Sequence, residues 1–161
     1  MPLSKLRDFL DSHKIRYLVI SHSVAYTAQG VAALAHISGK EIAKTVIVMV
    51  DGRMAMAVVP ASFRVDIPKL RKYLAAETVE LATESDFRDR FADCELGAMP
   101  PFGNLYGMDV FVDNSLTLDK EIAFNAGSHR ELVRMTFDDF RDLVNPILLP
   151  LAAGKARRHA A

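Results

Sequence analysis

Tryptophan is absent from this chain of 161 residues, and cysteine occurs once, at Cys94. A single thiol excludes an internal disulfide and suits a reducing compartment, so the expected location is the cytoplasm. An excess of either charge is missing too: Lys+Arg and Asp+Glu stand at 20 each. That balance argues against wrapping long DNA or RNA and against an anionic membrane surface. It leaves open a grip on one end of a nucleic acid in a local pocket. No window approaches ~18 uninterrupted apolar residues. The N-terminal Leu3-Ser4-Lys5-Leu6-Arg7-Asp8 is amphipathic where a secretion signal would be apolar. G-x-G-x-x-G, the P-loop and G-x-S-x-G are all lacking. Five scattered histidines and a solitary cysteine give no zinc spacing.

What is present reads as one domain over residues 1–151, followed by an Ala- and Arg-rich tail at 152–161 that is expected to fray. The chain is organised around Ile42-Ala43-Lys44-Thr45-Val46-Ile47-Val48-Met49-Val50, its longest β-branched run. At strand period two, Ile42, Lys44, Val46, Val48 and Val50 share one face and Ala43, Thr45, Ile47 and Met49 the other. Both faces are apolar, which predicts a central strand covered on two sides. Lys44 then points among buried side chains, where an unpaired ammonium is costly. Two readings stand: a strand-end lysine whose head reaches water, or a lysine at a pocket mouth that receives an anion.

Around that strand, Leu3, Leu6, Phe9 and Leu10 predict a short amphipathic helix ending near His13. Arg16 to His22 reads as a strand, and Thr27 caps a helix from Ala28 to about His36. Asp51-Gly52 signals a hairpin into Met54–Val59. Ser62–Asp66 leads into a helix carrying Ile67, Leu70 and Leu74, and Thr78–Leu81 is a short strand. Thr83-Glu84-Ser85-Asp86 resembles a capping box opening a helix through Phe87 and Phe91. Strands are expected at Met108–Val112, Glu121–Asn125 and Glu131–Met135, and a last helix follows Thr136 and stops at Asn145-Pro146. Short strands with non-alternating helices give an α+β fold around a mixed, curved sheet.

Two glycine-bearing loops carry the remaining chemical possibilities. Gly97-Ala98-Met99-Pro100-Pro101-Phe102-Gly103 has prolines that fix φ and glycines that allow close backbone approach to a ligand; it also reads as a structural crossover. Gly127-Ser128-His129 offers backbone N–H groups and a hydroxyl as an oxyanion cradle, or is simply a bulge or turn. Ser128 and His129 are adjacent, so on a strand they point apart and make a poor triad. His22 and His36 read as packing or surface residues.

Taken together, Ala43-Lys44-Thr45-Val46, Gly97-x-x-x-Pro101-x-Gly103 and Asn125-Ala126-Gly127-Ser128-His129 resemble the YbaK/prolyl-tRNA synthetase editing-domain family, with His22-Ser23 and Tyr26-Thr27-Ala28 fitting the first strand–helix unit. The similarity extends from about Leu3 to Leu149. It implies a barrel-like mixed sheet surrounded by helices, and hydrolysis of small amino acids wrongly esterified to tRNA. By that resemblance Lys44, Gly97, Gly127, Ser128 and His129 are catalytic, Lys44 positioning the terminal adenosine and its phosphate. Gly97, Pro101 and Gly103 line the aminoacyl pocket and place water. Met99, Pro100, Phe102 and Ala126 set pocket size, and Tyr26, Thr27 and Asn125 join substrate binding. No cofactor and no metal are implied. The partners implied are the 3′ acceptor end of mischarged tRNA and, as a second candidate, an aminoacyl-tRNA synthetase, with no membrane. Without a fused domain in the sequence, the free-standing type is the expectation. The competing readings are a non-catalytic module that holds a tRNA or nucleotide end, and a lysine enzyme forming a Schiff base at Lys44.

Overall fold

A computed structural model describes residues 3–21 and 42–155. The expected Thr27-capped helix, and with it Tyr26, Thr27, His22 and His36, lies outside the described residues, as does the tail from residue 156.

Ten strands are described: β1 (Leu18–Ser21), β2 (Ile42–Val50), β3 (Arg53–Pro60), β4 (Phe63–Val65), β5 (Val79–Leu81), β6 (Asp109–Asp113), β7 (Glu121–Asn125), β8 (Glu131–Thr136), β9 (Ile147–Leu149) and β10 (Ala152–Lys155). The described helices are α1 (Ser4–Ser12), α2 (Ile67–Leu74), α3 (Glu84–Phe87) and α4 (Phe137–Val144). The main sheet runs β1-β8-β7-β2-β3-β6-β9, with β5 also on β2, while β4 and β10 form a separate pair. It is mixed: β2–β7, β3–β6 and β6–β9 are parallel and the other pairs antiparallel. This is the α+β, curved barrel-like arrangement expected. No described helix is long and apolar enough to cross a membrane.

The period-two reading of β2 fits its packing. Ala43 and Ile47 enter a large cluster with Leu6, Leu10, Phe124 and Phe140, under α1 and α4. Val48 enters a second cluster with Ala57, Val59 and Leu70, under α2. The β2–β3 hairpin turns through Asp51 and Gly52, both at positive φ (49° and 80°), the requirement of a tight two-residue turn. The Thr83 capping box forms in both directions, Asp86 N–H to Thr83 Oγ1 at 3.2 Å and Thr83 N–H to an Asp86 carboxylate oxygen at 2.9 Å. Thr136 caps α4 through the Asp139 N–H, and Asn145 ends it at φ 52° before Pro146.

Three short strands depart from expectation. Phe63–Val65 is β4 rather than a lead-in, Ile147–Leu149 extends the sheet beside β6, and Ala152–Lys155 pairs with β4 instead of fraying. Buried Asp113 accounts for the last, accepting the Leu151 and Ala152 N–H groups at 2.9 Å each and so pinning the chain at the start of β10. The single helix expected through Phe91 is α3 followed by a 3-10 turn over Arg88–Phe91.

Candidate functional site

Lys44 stands where the sheet splits. β7 pairs with β2 only at Ile42↔Ala123 and Ala43↔Phe124, and β5 pairs with the far end at Val48–Val50. Lys44 is the first residue past the last β2–β7 pair, level with the end of β7 at Asn125. It lies opposite Val59 on β3, on the face of the α2-covered cluster. Its ammonium has no hydrogen bond or ion pair to any described residue. Partial burial pushes its pKa below the ordinary lysine value, by desolvation. A charge in such a setting gains most from an anionic partner brought by a ligand.

Beyond the end of β7 the two glycine loops are bound to each other. Glu95 N–H donates to Gly127 O and Gly127 N–H to Ala98 O, both at 2.8 Å. His129 N–H donates to Glu95 Oε1 at 2.7 Å, and its ring Nε2 lies 2.6 Å from Leu96 O. An imidazole nitrogen so close to a carbonyl carries the proton, which fixes Nε2 as the donor. The glycines fit this close pairing: Gly97 has φ 83° and Gly127 φ 95°, and a Cβ on Gly127 would stand 3.0 Å from that of Leu3. The Leu3 N–H, donating to Ala126 O at 2.8 Å, ties the chain before α1 to the same loop.

This arrangement sorts the residues singled out by sequence. Gly97, Ala126, Gly127, Ser128 and His129 come together, with Asn125 half-buried at the end of β7 and Pro100 and Pro101 buried in the facing loop. Phe102 and Gly103 do not line an open wall. Phe102 is fully buried among Phe9, Phe124 and Phe140, because a ring of that size gains more from the core than from a loop surface. Met99 is buried in the same cluster. Gly103 is a packing glycine, since a Cβ there would meet Met108 O at 2.5 Å. The cradle expected from three successive N–H groups is also reduced. Those of Gly127 and His129 are committed, which leaves, among the described residues, the N–H groups of Gly97 and Ser128 without an internal partner. Ser128 Oγ accepts the Arg130 N–H at 2.9 Å, a local turn rather than a triad contact.

A cavity of about 700 Å³ opens behind this loop, lined by Ser21, Cys94, Glu95, Gly127, Ser128 and Glu131 among others. Lys44 is not in its wall, and by strand alternation Ser21 and Glu131 share the face of Val133, opposite that of Lys44. Burial pushes the Cys94 thiol pKa up, away from the thiolate, and its sulfur lies 3.5 Å from the Tyr106 hydroxyl, also pushed up by burial. Glu95, which binds the two loops, carries no sequence signal of its own; its side chain bonds a residue 34 positions away.

Comparison with known proteins adds to this geometry. Residues 22–143 match the model of the family described as the aminoacyl-tRNA editing domain. The chain is 28% identical over 125 residues to a proline–tRNA ligase of Macrococcus caseolyticus, covering 71% of this chain and 22% of the ligase. It thus spans about a fifth of that curated relative. Its fold is similar to a crystal structure described as "a putative trans-editing enzyme for prolyl tRNA synthetase", with TM-score 0.80 at 18% identity over 93% of this chain and 96% of that one. It is equally similar to the hypothetical protein APE2540, with TM-score 0.80 at 18% identity over 93% of this chain and all of the other.

Proposed function

The chain belongs to the aminoacyl-tRNA editing domain family, and on that footing we propose that it hydrolyses the ester bond of mischarged aminoacyl-tRNA. The observation that carries the proposal is the partly buried Lys44 at the split between β2 and β7, without a partner among the described residues and close in register to a loop pair whose Gly97 and Ser128 N–H groups likewise have none there.

In this reading Lys44 meets a phosphate of the terminal adenosine, supplying the anion its position calls for. Water attacks the ester carbonyl, and the oxygen that becomes negative is met by the N–H groups of Gly97 and Ser128. The C–O bond to the ribose then breaks, the ribose hydroxyl takes a proton, and the amino acid leaves as its carboxylate with release of the remaining proton. An aminoacyl ester is already activated, so orientation and a fixed dipole supply much of what the reaction needs. Asn125, Ala126, Pro100 and Pro101 bound the space around the ester, with Tyr26 and Thr27 as further substrate contacts. The partner is the acceptor end of tRNA, and a prolyl-tRNA synthetase is the candidate second partner.

The burial that lowers the Lys44 pKa also suits a Schiff-base lysine, and one experiment separates the two. A single tRNA is charged in turn with each small amino acid and deacylation is followed for wild type and Lys44→Ala. A parallel sample is treated with borohydride and a keto or aldehyde substrate. Release of amino acid by wild type alone, with no trapped adduct, supports the hydrolase. Binding of tRNA without release favours a module that only holds the end.

A further inference from the structure

We propose that Glu95, outside all three sequence motifs, is a positioning residue for this reaction: its carboxylate is the strap that sets the Gly127–His129 loop against Gly97. The inference rests on the deacylase reading for its kinetic consequence but not for its structural one.

Glu95 holds the facing loop at two points and closes a turn in its own loop at a third. Its N–H donates to Gly127 O at 2.8 Å, its carbonyl accepts the Ala98 N–H at 3.0 Å, and Oε1 accepts the His129 N–H at 2.7 Å. The first two are backbone bonds and persist under any substitution that folds. Only the third depends on the side chain, and it reaches the residue directly after Ser128. A carboxylate accepting a backbone N–H at that distance is a charge-assisted bond, stronger than a neutral one. It also holds His129 so that its ring Nε2 can donate to Leu96 O at 2.6 Å and stack its Cε1 beneath Gly97, 3.4 Å from where a Cβ would stand. The carboxylate therefore fixes, through His129, the separation between the N–H groups of Gly97 and Ser128, which have no internal partner among the described residues. Exposed Glu95 acts here through His129 rather than on the ester itself. It sets the geometry of the groups that do.

The test compares Glu95→Ala, Glu95→Gln and Glu95→Asp in the full chain. Glutamine keeps an oxygen at the same reach, whereas aspartate is one methylene short and alanine has none. Two readouts are taken: deacylation kinetics, and hydrogen exchange of the His129 and Gly127 amides without substrate. Expected is a fall in kcat of roughly 10- to 100-fold for alanine, with KM little changed, and most of the rate restored by glutamine. The His129 amide should exchange faster in the alanine and aspartate variants and keep its protection in the glutamine variant. If Glu95→Ala does not fold, the Gln and Asp variants give the same contrast. Wild-type kcat in Glu95→Ala, damage by glutamine equal to that by alanine, or unchanged His129 exchange in Glu95→Asp each overturns the proposal. A wild-type protein that deacylates nothing refutes the enzymatic reading instead. The exchange data then decide by themselves whether the strap exists.

Discussion

The ring of Phe102 meets that of Phe140 edge to face, with centroids 5.5 Å apart. Phe102 belongs to the Gly/Pro loop and Phe140 to α4, so the contact anchors the loop in the main core. Phe9 and Phe124 close the other sides of the same ring, at 6.1 and 5.6 Å. An anchored loop holds its backbone still, which a site built from backbone N–H groups requires.

Phe102→Ala should therefore act on stability rather than on selectivity. Truncating a fully buried phenylalanine costs about 3–5 kcal/mol. The denaturant midpoint should fall accordingly, while the ratio of rates on small and large aminoacyl-tRNAs stays near wild type. A changed ratio at unchanged stability would return Phe102 to the pocket wall. Met99→Ala, in the same cluster, should behave alike, at about 2–5 kcal/mol.

The two glycines that bracket this loop should differ when each is changed to alanine. Gly97 sits at φ 83°, where a side chain is strained by roughly 1–2 kcal/mol, and its Cβ would press the His129 ring at 3.4 Å. The fold should survive and the rate should fall on every substrate alike. Gly103→Ala places a Cβ 2.5 Å from Met108 O and 2.6 Å from Val110 Cγ2. Backbone cannot yield there as a flexible side chain would, so that variant should lose stability first. Thermal melts beside deacylation rates check both, and a silent Gly97→Ala would make the loop purely structural.

Much of this was legible because it is local. The two-sided β2, the Asp51-Gly52 turn and the caps at Thr83 and Thr136 are written in runs of a few residues, and the structure forms each of them. Strands β4, β9 and β10 were not, since three or four residues show no period and their pairing partners are distant in sequence; β10 is also pinned at its start by Asp113, which holds Leu151 and Ala152. Motif order brought Gly97 and Gly127 to one place. It could not say that Phe102, between the same prolines and glycine, turns inward, or that Glu95 would bind across from position 95 to 129.

Lys44 should trade stability for function. Its folded pKa lies below the ordinary value of 10.5 because burial disfavours the charge. Between the folded and unfolded values the unfolded chain binds more protons, so stability rises with pH across that window. Below it, the buried charge destabilises the fold by a constant amount. Lys44→Met removes that charge, so its denaturant midpoint at neutral pH should exceed wild type, the gap narrowing as pH approaches 10.5. Deacylation should vanish in Lys44→Met as in Lys44→Ala, whereas wild-type activity should decline as pH rises through the lowered lysine pKa. A less stable Lys44→Met at neutral pH would mean that the ammonium has a partner in the folded protein.

Binding of the acceptor end should depend only weakly on salt. Each phosphate contact on a single strand contributes a slope of ~0.7 in log affinity against log salt, and each on a duplex ~0.9. Lys+Arg and Asp+Glu balance at 20 each, so no field from the whole molecule gathers the acceptor stem, and under the proposed function the grip on tRNA falls to Lys44 and its last phosphate. One to three contacts then predict a slope between about −0.7 and −3. Lys44→Ala should flatten it by roughly one contact's worth, ~0.7, which ties the slope to the residue. The measurement is a titration of uncharged tRNA at several salt concentrations for both proteins. A slope steeper than about −4, the value for six single-strand contacts, would mean an extended basic face holds the stem. An unchanged slope in Lys44→Ala would instead move the phosphate to another cation and leave Lys44 without the anion its position calls for.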